Sequence, residues 1–170
     1  ARAGLFLSFQ YPVELPGIPL NRLIRKASSS VLGPEAYRSP KVFDASMKEA
    51  CSSVGVTEEV VSRPTNEGFS GGEKKKAEVL QIEMLKPRFV ILDEVDSGLD
   101  IDALNGVADV INRMRNRNRS FLIITHYQRI LSLVTPDRVH VMKDGRIIRS
   151  GGASLVKELE QAGYANMEAA

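Results

Sequence analysis

The sequence has a single cysteine, Cys51, and no tryptophan. One thiol cannot form an internal disulfide, so nothing in the chain calls for an oxidising compartment. No run approaches the roughly 18 apolar residues that a membrane-spanning helix needs, so insertion into a bilayer is not expected. Lys and Arg number 23 against 21 Asp and Glu, a formal charge of +2. That excess of one sign is too small to indicate a nucleic acid or a membrane surface as partner. Internal repeats, low-complexity tracts and heptad runs are absent. So is GxxxxGK[ST], the loop whose amides and lysine cradle β- and γ-phosphates. What is present is an ordinary globular composition, 43% hydrophobic and 26% charged over 170 residues. That is enough chain for one core, or for a core with an inserted lobe.

The opening, ARAGLFLSFQYP, lacks the small-residue cleavage pattern of a signal peptide. Its apolar part, residues 5–9, predicts a buried strand ending at Gln10. Pro12, Pro16 and Pro19 then forbid regular structure. Residues 21–53 read as helix, broken near GPEAYRSP. Within it Phe43, Met47, Ala50, Cys51 and Val54 share one face, which makes Cys51 a packing thiol rather than a reactive or metal-binding one. RFVILDE predicts a second buried strand, and DIDALNGVADVINRMRN a helix with Leu104, Val107, Ala108 and Ile111 inward. Arg113, Arg115 and Arg117 read as a solvated cationic helix end. SFLIITH predicts a third buried strand, ending in His126, and Asp144-Gly145 centres a hairpin. SLVKELEQAGY reads as a final helix that Gly163 ends. Buried strands alternating with helices indicate an α/β protein with a mainly parallel sheet. Residues 13–85 show no strand and read as a helical lobe inserted between two strands of that sheet.

Three places carry chemistry. Ser70-Gly71-Gly72-Glu73 fits a capping box, which alone is a helix start worth about 1 kcal/mol. Two successive glycines add bare amides beside the positive end of a helix dipole, a setting that suits a phosphate. Asp93 and Glu94 end a strand at the C-terminal sheet edge, where open parallel sheets bind ligands. Asp93 there can hold Mg²⁺, directly or through water, while Glu94 polarises an attacking water. Alternatively both are solvated acids, although Asp96, Ser97 and Asp100 crowd the same turn. His126 ends another strand at that edge and is either a packing residue or a donor to a terminal phosphate. Gln10 is a third strand-end group, able to coordinate Mg²⁺ or a water. His140 alternates with Val139 and Val141 and should face outward.

In order, Gln10, SGGE, apolar-DE, SGLD and His126 resemble the Q-loop, signature, Walker B, D-loop and H-loop of an ABC-type ATPase subunit. The words FLSFQYPVELPG, NEGFSGGEKKK, ILDEVDSGLDIDAL, ITHYQRIL and VHVMKDGRIIRSG are similar to the SUF-type ATPases of iron–sulfur cluster assembly. The resemblance implies a P-loop NTPase fold, with 1–12 and 86–170 as an incomplete ATP-binding core and 13–85 as the α-helical subdomain. It implies that Gln10 senses the γ-phosphate and serves the metal with Asp93. Glu94 would be the general base and His126 would hold the γ-phosphate. Ser70, Gly71 and Gly72, with Glu73 in the same motif, would grip ATP bound by the other subunit of a head-to-tail dimer. Asp100 would cross that interface. ATP and Mg²⁺ are the implied cofactors, SufB- and SufD-type scaffold proteins the implied partners. The implied compartment is the cytoplasm, or a plastid stroma.

Smaller departures from the ABC pattern are Glu73 for Gln, Lys76 for Arg, and SGLD for SALD. The missing phosphate loop is the large one. In this family it precedes the Q-loop, so the chain is expected to lack the N-terminal strands and the phosphate loop of an intact subunit. Two other readings stay open: the ATP-binding subunit of an ABC transporter, and a non-catalytic remnant that docks on an intact partner. The 170-residue polypeptide by itself is expected to be poorly stable and to hydrolyse no ATP. Phosphate release above background that disappears in Glu94→Gln would overturn that expectation.

Overall fold

Three apolar runs pair as parallel strands, and helices with a short two-stranded ribbon fill the chain between them. The computed structural model describes residues 1–127 and 129–162. The first of two units, Ala1–His126, begins with strands β1 (Leu5–Ser8) and β2 (Leu15–Pro19). Helices α1 (Leu20–Val31), α2 (Pro40–Val54) and α3 (Glu58–Ser62) come next, then β3 (Pro64–Thr65). The unit ends with α4 (Gly71–Leu85), β4 (Phe89–Asp93), α5 (Ile101–Met114) and β5 (Ser120–Ile124). The sheet order is β1-β4-β5, with Ser8 opposite Leu92 and Asp93 opposite Ile124. That register brings the C-terminal ends of all its strands to one edge, the edge at which Gln10, Glu94 and His126 follow.

The strands are less buried than their composition predicts. On one face Ser8, Val90 and Leu92 are fully buried, and Ser8 meets α4 there. The opposite face leaves Leu5, Leu7, Phe89, Leu122 and Ile124 exposed. An apolar run can therefore be a strand without being covered on both sides, and a surface of this kind favours association.

Regular structure also occurs where prolines were expected to exclude it. β2 runs through Pro16 to Pro19 and pairs antiparallel with β3, joining Leu15 to Thr65 and Pro19 to Pro64 across an irregularity. A two-stranded ribbon has only edges, where a residue without an N–H costs no ladder bond. Gly17, at φ +73°, absorbs the bulge. Residues 13–85 thus contain a ribbon as well as helices, and all of them lie inside the first unit.

The helices follow their sequence signals. Ser39 caps α2 by accepting from Val42 N–H, Pro40 stands in its first turn, and Gly55 ends it at φ +70°. Phe43, Met47, Ala50, Cys51 and Val54 are all buried on its inner face. Burial, then the carboxylates of Glu58 and Glu83, push the Cys51 thiol up, so it packs and does not react. The cationic end of α5 is more than solvated charge. Arg113 reaches Glu83 at 2.7 Å and Ser53 Oγ at 3.1 Å, tying α5 to α4 and α2. Arg119 adds bonds to the carbonyls of Pro87 and Met114.

The second unit, Tyr127–Ala170, holds α6 (Arg129–Leu133), the strands β6 (Val139–Lys143) and β7 (Arg146–Gly151), and α7 (Ser154–Ala162). Asp144 and Gly145 both take positive φ, +48° and +75°, as a two-residue hairpin requires. Among the described residues Val141, Leu155 and Leu159 form a buried apolar cluster in this unit. His140 is exposed and bonds Ser150 Oγ at 2.8 Å. Gly163, expected to end the last helix, lies outside the described residues.

Candidate functional site

The sheet edge assembles its polar groups around one carboxylate. Glu94, directly after β4, takes φ +48°, a left-handed conformation that costs a non-glycine residue about 1 kcal/mol or more. Its N–H donates to the carbonyl of Ile124 at 2.9 Å, and its carbonyl accepts from Ser97 N–H at 3.1 Å. The backbone is thereby pinned to β5 on one side and to the following turn on the other. Gln10 Nε2 donates to Glu94 Oε2 at 2.7 Å. His126 Nδ1 lies 3.1 Å from Glu94 Oε1. Three residues separated by up to 116 positions (126 − 10) thus meet on one side chain. Strand β5 ends at Ile124, two residues before His126.

The intervening Thr125 fixes the step between strand and histidine. Its Oγ1 bonds both oxygens of Asp96, at 3.0 and 2.8 Å, and Asp96 is fully buried. Part of the carboxylate density after β4 is therefore internal scaffolding. Asp100 likewise caps α5, accepting from Ala103 N–H at 2.7 Å.

At the start of α4, Ser70 Oγ accepts from Glu73 N–H at 3.2 Å, and Glu73 Oε2 accepts from Ser70 N–H at 2.7 Å. The capping box is complete. The Ser70 N–H bond leads in pulling the Glu73 carboxyl below its usual range, with Arg63 and Lys76 helping. Gly71 and Gly72 sit in this first turn, and a Cβ on either would meet nothing within 4 Å. Neither needs glycine for its backbone or for packing inside the unit.

Behind the edge lies a buried polar group that sequence reading missed. Glu78 of α4 accepts from Ser8 Oγ at 2.8 Å and from Phe9 N–H at 3.1 Å. Lys75, one turn earlier, donates to the carbonyls of Phe9 at 3.0 Å and Asp93 at 3.5 Å, and lies 3.8 Å from Glu78. Both side chains are about 6% exposed. Helical periodicity hides them, because α4 buries residues around most of its circumference. The available signal was Ser8, a lone hydroxyl in an apolar strand, which needs a partner.

Burial outweighs the Ser8 hydroxyl and the Lys75 ammonium and raises the Glu78 carboxyl above its ordinary value of 4.5. Because the native value is the higher one, its contribution to stability is complete below pH 4.5 and falls as pH rises through the raised value. Thermal melts from pH 4 upward, compared with Glu78→Gln, are expected to show a flatter acid-side profile in the variant.

Asp93 and Gln10 are oxygen donors of the type a magnesium ion takes. Mg²⁺ takes one or two protein oxygens and completes its shell with waters and phosphates. Asp93 supplies a carboxylate. Gln10, with its amide nitrogen committed to Glu94, keeps its oxygen as an acceptor. Among the described residues no three His, Cys, Asp or Glu side chains gather into a metal site.

Known proteins resemble the chain along almost its whole length. It is 50% identical over 167 residues to a probable ABC transporter ATP-binding protein of Streptococcus pyogenes, spanning 98% of this chain and 65% of that protein. It is 47% identical over 169 residues to the probable ATP-dependent transporter SufC of Escherichia coli, covering 96% of this chain and 67% of that one. The iron–sulfur cluster assembly protein SufC of Plasmodium berghei is 47% identical over 164 residues, covering 95% of the chain and 45% of that protein. The chain therefore spans about two thirds of its bacterial relatives. Among solved structures, the ATP-binding subunit of an ABC transporter superposes with a TM-score of 0.75 at 21% identity, over 98% of this chain and 65% of that one. No family model matches.

Proposed function

From the premise that the chain belongs to the ABC ATPases, as a SufC-like member, we propose that it binds Mg-ATP and hydrolyses it in iron–sulfur cluster assembly. The observation that carries the reading is the convergence of Gln10 and His126 on Glu94. A general base for water must be an acceptor held still at the reacting edge, and two tethers from neighbouring strands hold this one. Glu94 takes the proton of the attacking water. Gln10 keeps the carboxylate oriented and presents its amide oxygen, with Asp93, to the metal. Asp93 and Gln10 would hold Mg²⁺ there, and the ion would supply charge neutralisation for the phosphoryl group. His126 holds the γ-phosphate through Nε2.

Ser70, Gly71 and Gly72, with the adjoining Glu73 fixing the cap, present bare amides to a γ-phosphate bound by a second copy of the protein. Asp100 lies on the same interface. ATP then joins two copies head to tail, and hydrolysis lets them part. We assign the helical segment 13–85 to docking on SufB- and SufD-type scaffolds, with the cycle remodelling those partners. The streptococcal relative's name favours a second reading, an ABC transporter subunit. Among the described residues no helix is long and apolar enough to cross a membrane. Affinity purification of the native polypeptide from its source decides. Soluble scaffold proteins in the eluate, with an ATP-dependent change in their retention, support cluster assembly. Integral membrane proteins in their place overturn it.

A further inference from the structure

We propose that Glu78 is a positioning residue for hydrolysis, setting Gln10 against Glu94 by holding the backbone of Phe9. This deepens the function proposed above and rests on it. Strand β1 ends at Ser8, and the chain then leaves the sheet. At that point α4 takes over. Glu78 accepts the N–H of Phe9 and the hydroxyl of Ser8, while Lys75 donates to the carbonyl of Phe9. Both backbone polar groups of the residue before Gln10 are thus gripped from successive turns of one helix. Gln10 itself is exposed, and it bonds Glu94 at 2.7 Å. A long exposed side chain loses rotamer freedom in making such a bond, and fixing its backbone leaves less to lose.

The pair is also a poor way to gain stability. Replacing a buried ion pair with apolar residues of similar volume is often neutral or stabilising. Two charged side chains at core positions of α4 therefore ask for another reason, and the strand end that they hold leads into the site. The same helix begins at Ser70, eight residues or about 12 Å along its axis from Glu78. A displacement of its N-terminal turn by a phosphate reaches Phe9, then Gln10, then the base, through one rigid element.

The test is a double-mutant cycle in the native polypeptide, measured by steady-state ATP hydrolysis, with hydrogen exchange of the Phe9 amide as a readout without nucleotide. Glutamine at 78 offers one oxygen where two contacts need acceptors. Glu78→Gln is expected to speed exchange at Phe9 and to lower kcat about tenfold or more, with KM little changed. Ser8→Ala should act in the same direction more weakly, and it carries the cycle if Glu78→Gln fails to fold. In a Gln10→Ala background neither change should reduce kcat further. If the Glu78 and Gln10 effects on kcat multiply, Glu78 acts elsewhere and the inference fails while the ATPase reading stands. If Gln10→Ala leaves hydrolysis unchanged, the role of Gln10 in the proposed function is wrong and the inference falls with it.

Discussion

Glu94→Gln should reduce ATP hydrolysis by the native polypeptide by about a hundredfold to ten-thousandfold, the range for loss of a positioned general base. ATP binding and ATP-driven self-association should survive. The substitution keeps the side chain's shape and one acceptor oxygen, so it can retain one of the tethers from Gln10 and His126. What it removes is the capacity to take a proton. The left-handed backbone at residue 94 is held by Ile124 and Ser97 through main-chain atoms alone, so the substitution should leave the local geometry in place. Thermal stability should change by no more than about 1 kcal/mol, as for surface changes that break no buried network. A variant that binds ATP, associates and still turns over within threefold of wild type would mean that Glu94 is not the base. The two tethers would then describe a strand-end cluster without that chemistry.

The residues that meet at Glu94 were legible one by one in the sequence because each ends an apolar run, and parallel strands deliver their ends to one edge. Which of them would touch was not legible. The 2.7 Å bond from Gln10 depends on β1 lying beside β4, a pairing that joins residues about 84 apart. Sequence order gave no sign of it. The helix faces of α2 and α5 were readable from periodicity, since each is apolar on one side and solvated on the other. Helix α4 was readable only at its cap. Buried around most of its surface, it has no polar face against which an inward Glu78 or Lys75 would stand out. The exposed side of the sheet was unreadable for a related reason. Leu5, Leu7 and Leu122 look the same in a sequence whether or not anything covers them.

Gly72→Asp should separate a helix start from an anion site, because the two readings predict opposite things. The capping box is closed by Ser70 and Glu73 and does not use the residue between them. Gly72 has no positive φ, and a Cβ there meets nothing within 4 Å, so the unit accepts a side chain. Aspartate in a first helical turn complements the dipole, and replacing glycine removes backbone entropy from the unfolded chain. Stability should therefore hold or rise by about 0.5–1 kcal/mol. Function should collapse. A carboxylate at the mouth of the bare amides repels the phosphate that they are proposed to hold, and ATP-dependent association should weaken about a hundredfold or more, the cost of placing like charges together at an interface. Analytical ultracentrifugation with ATP in the Glu94→Gln background, which blocks turnover, reads association directly. Calorimetric melting reads stability in the same preparations. A variant that melts higher and still associates normally would reduce Ser70–Glu73 to a helix cap. A variant that melts higher and stays monomeric would place the phosphate of a second copy at that helix end, since the fold itself has no use for the glycine.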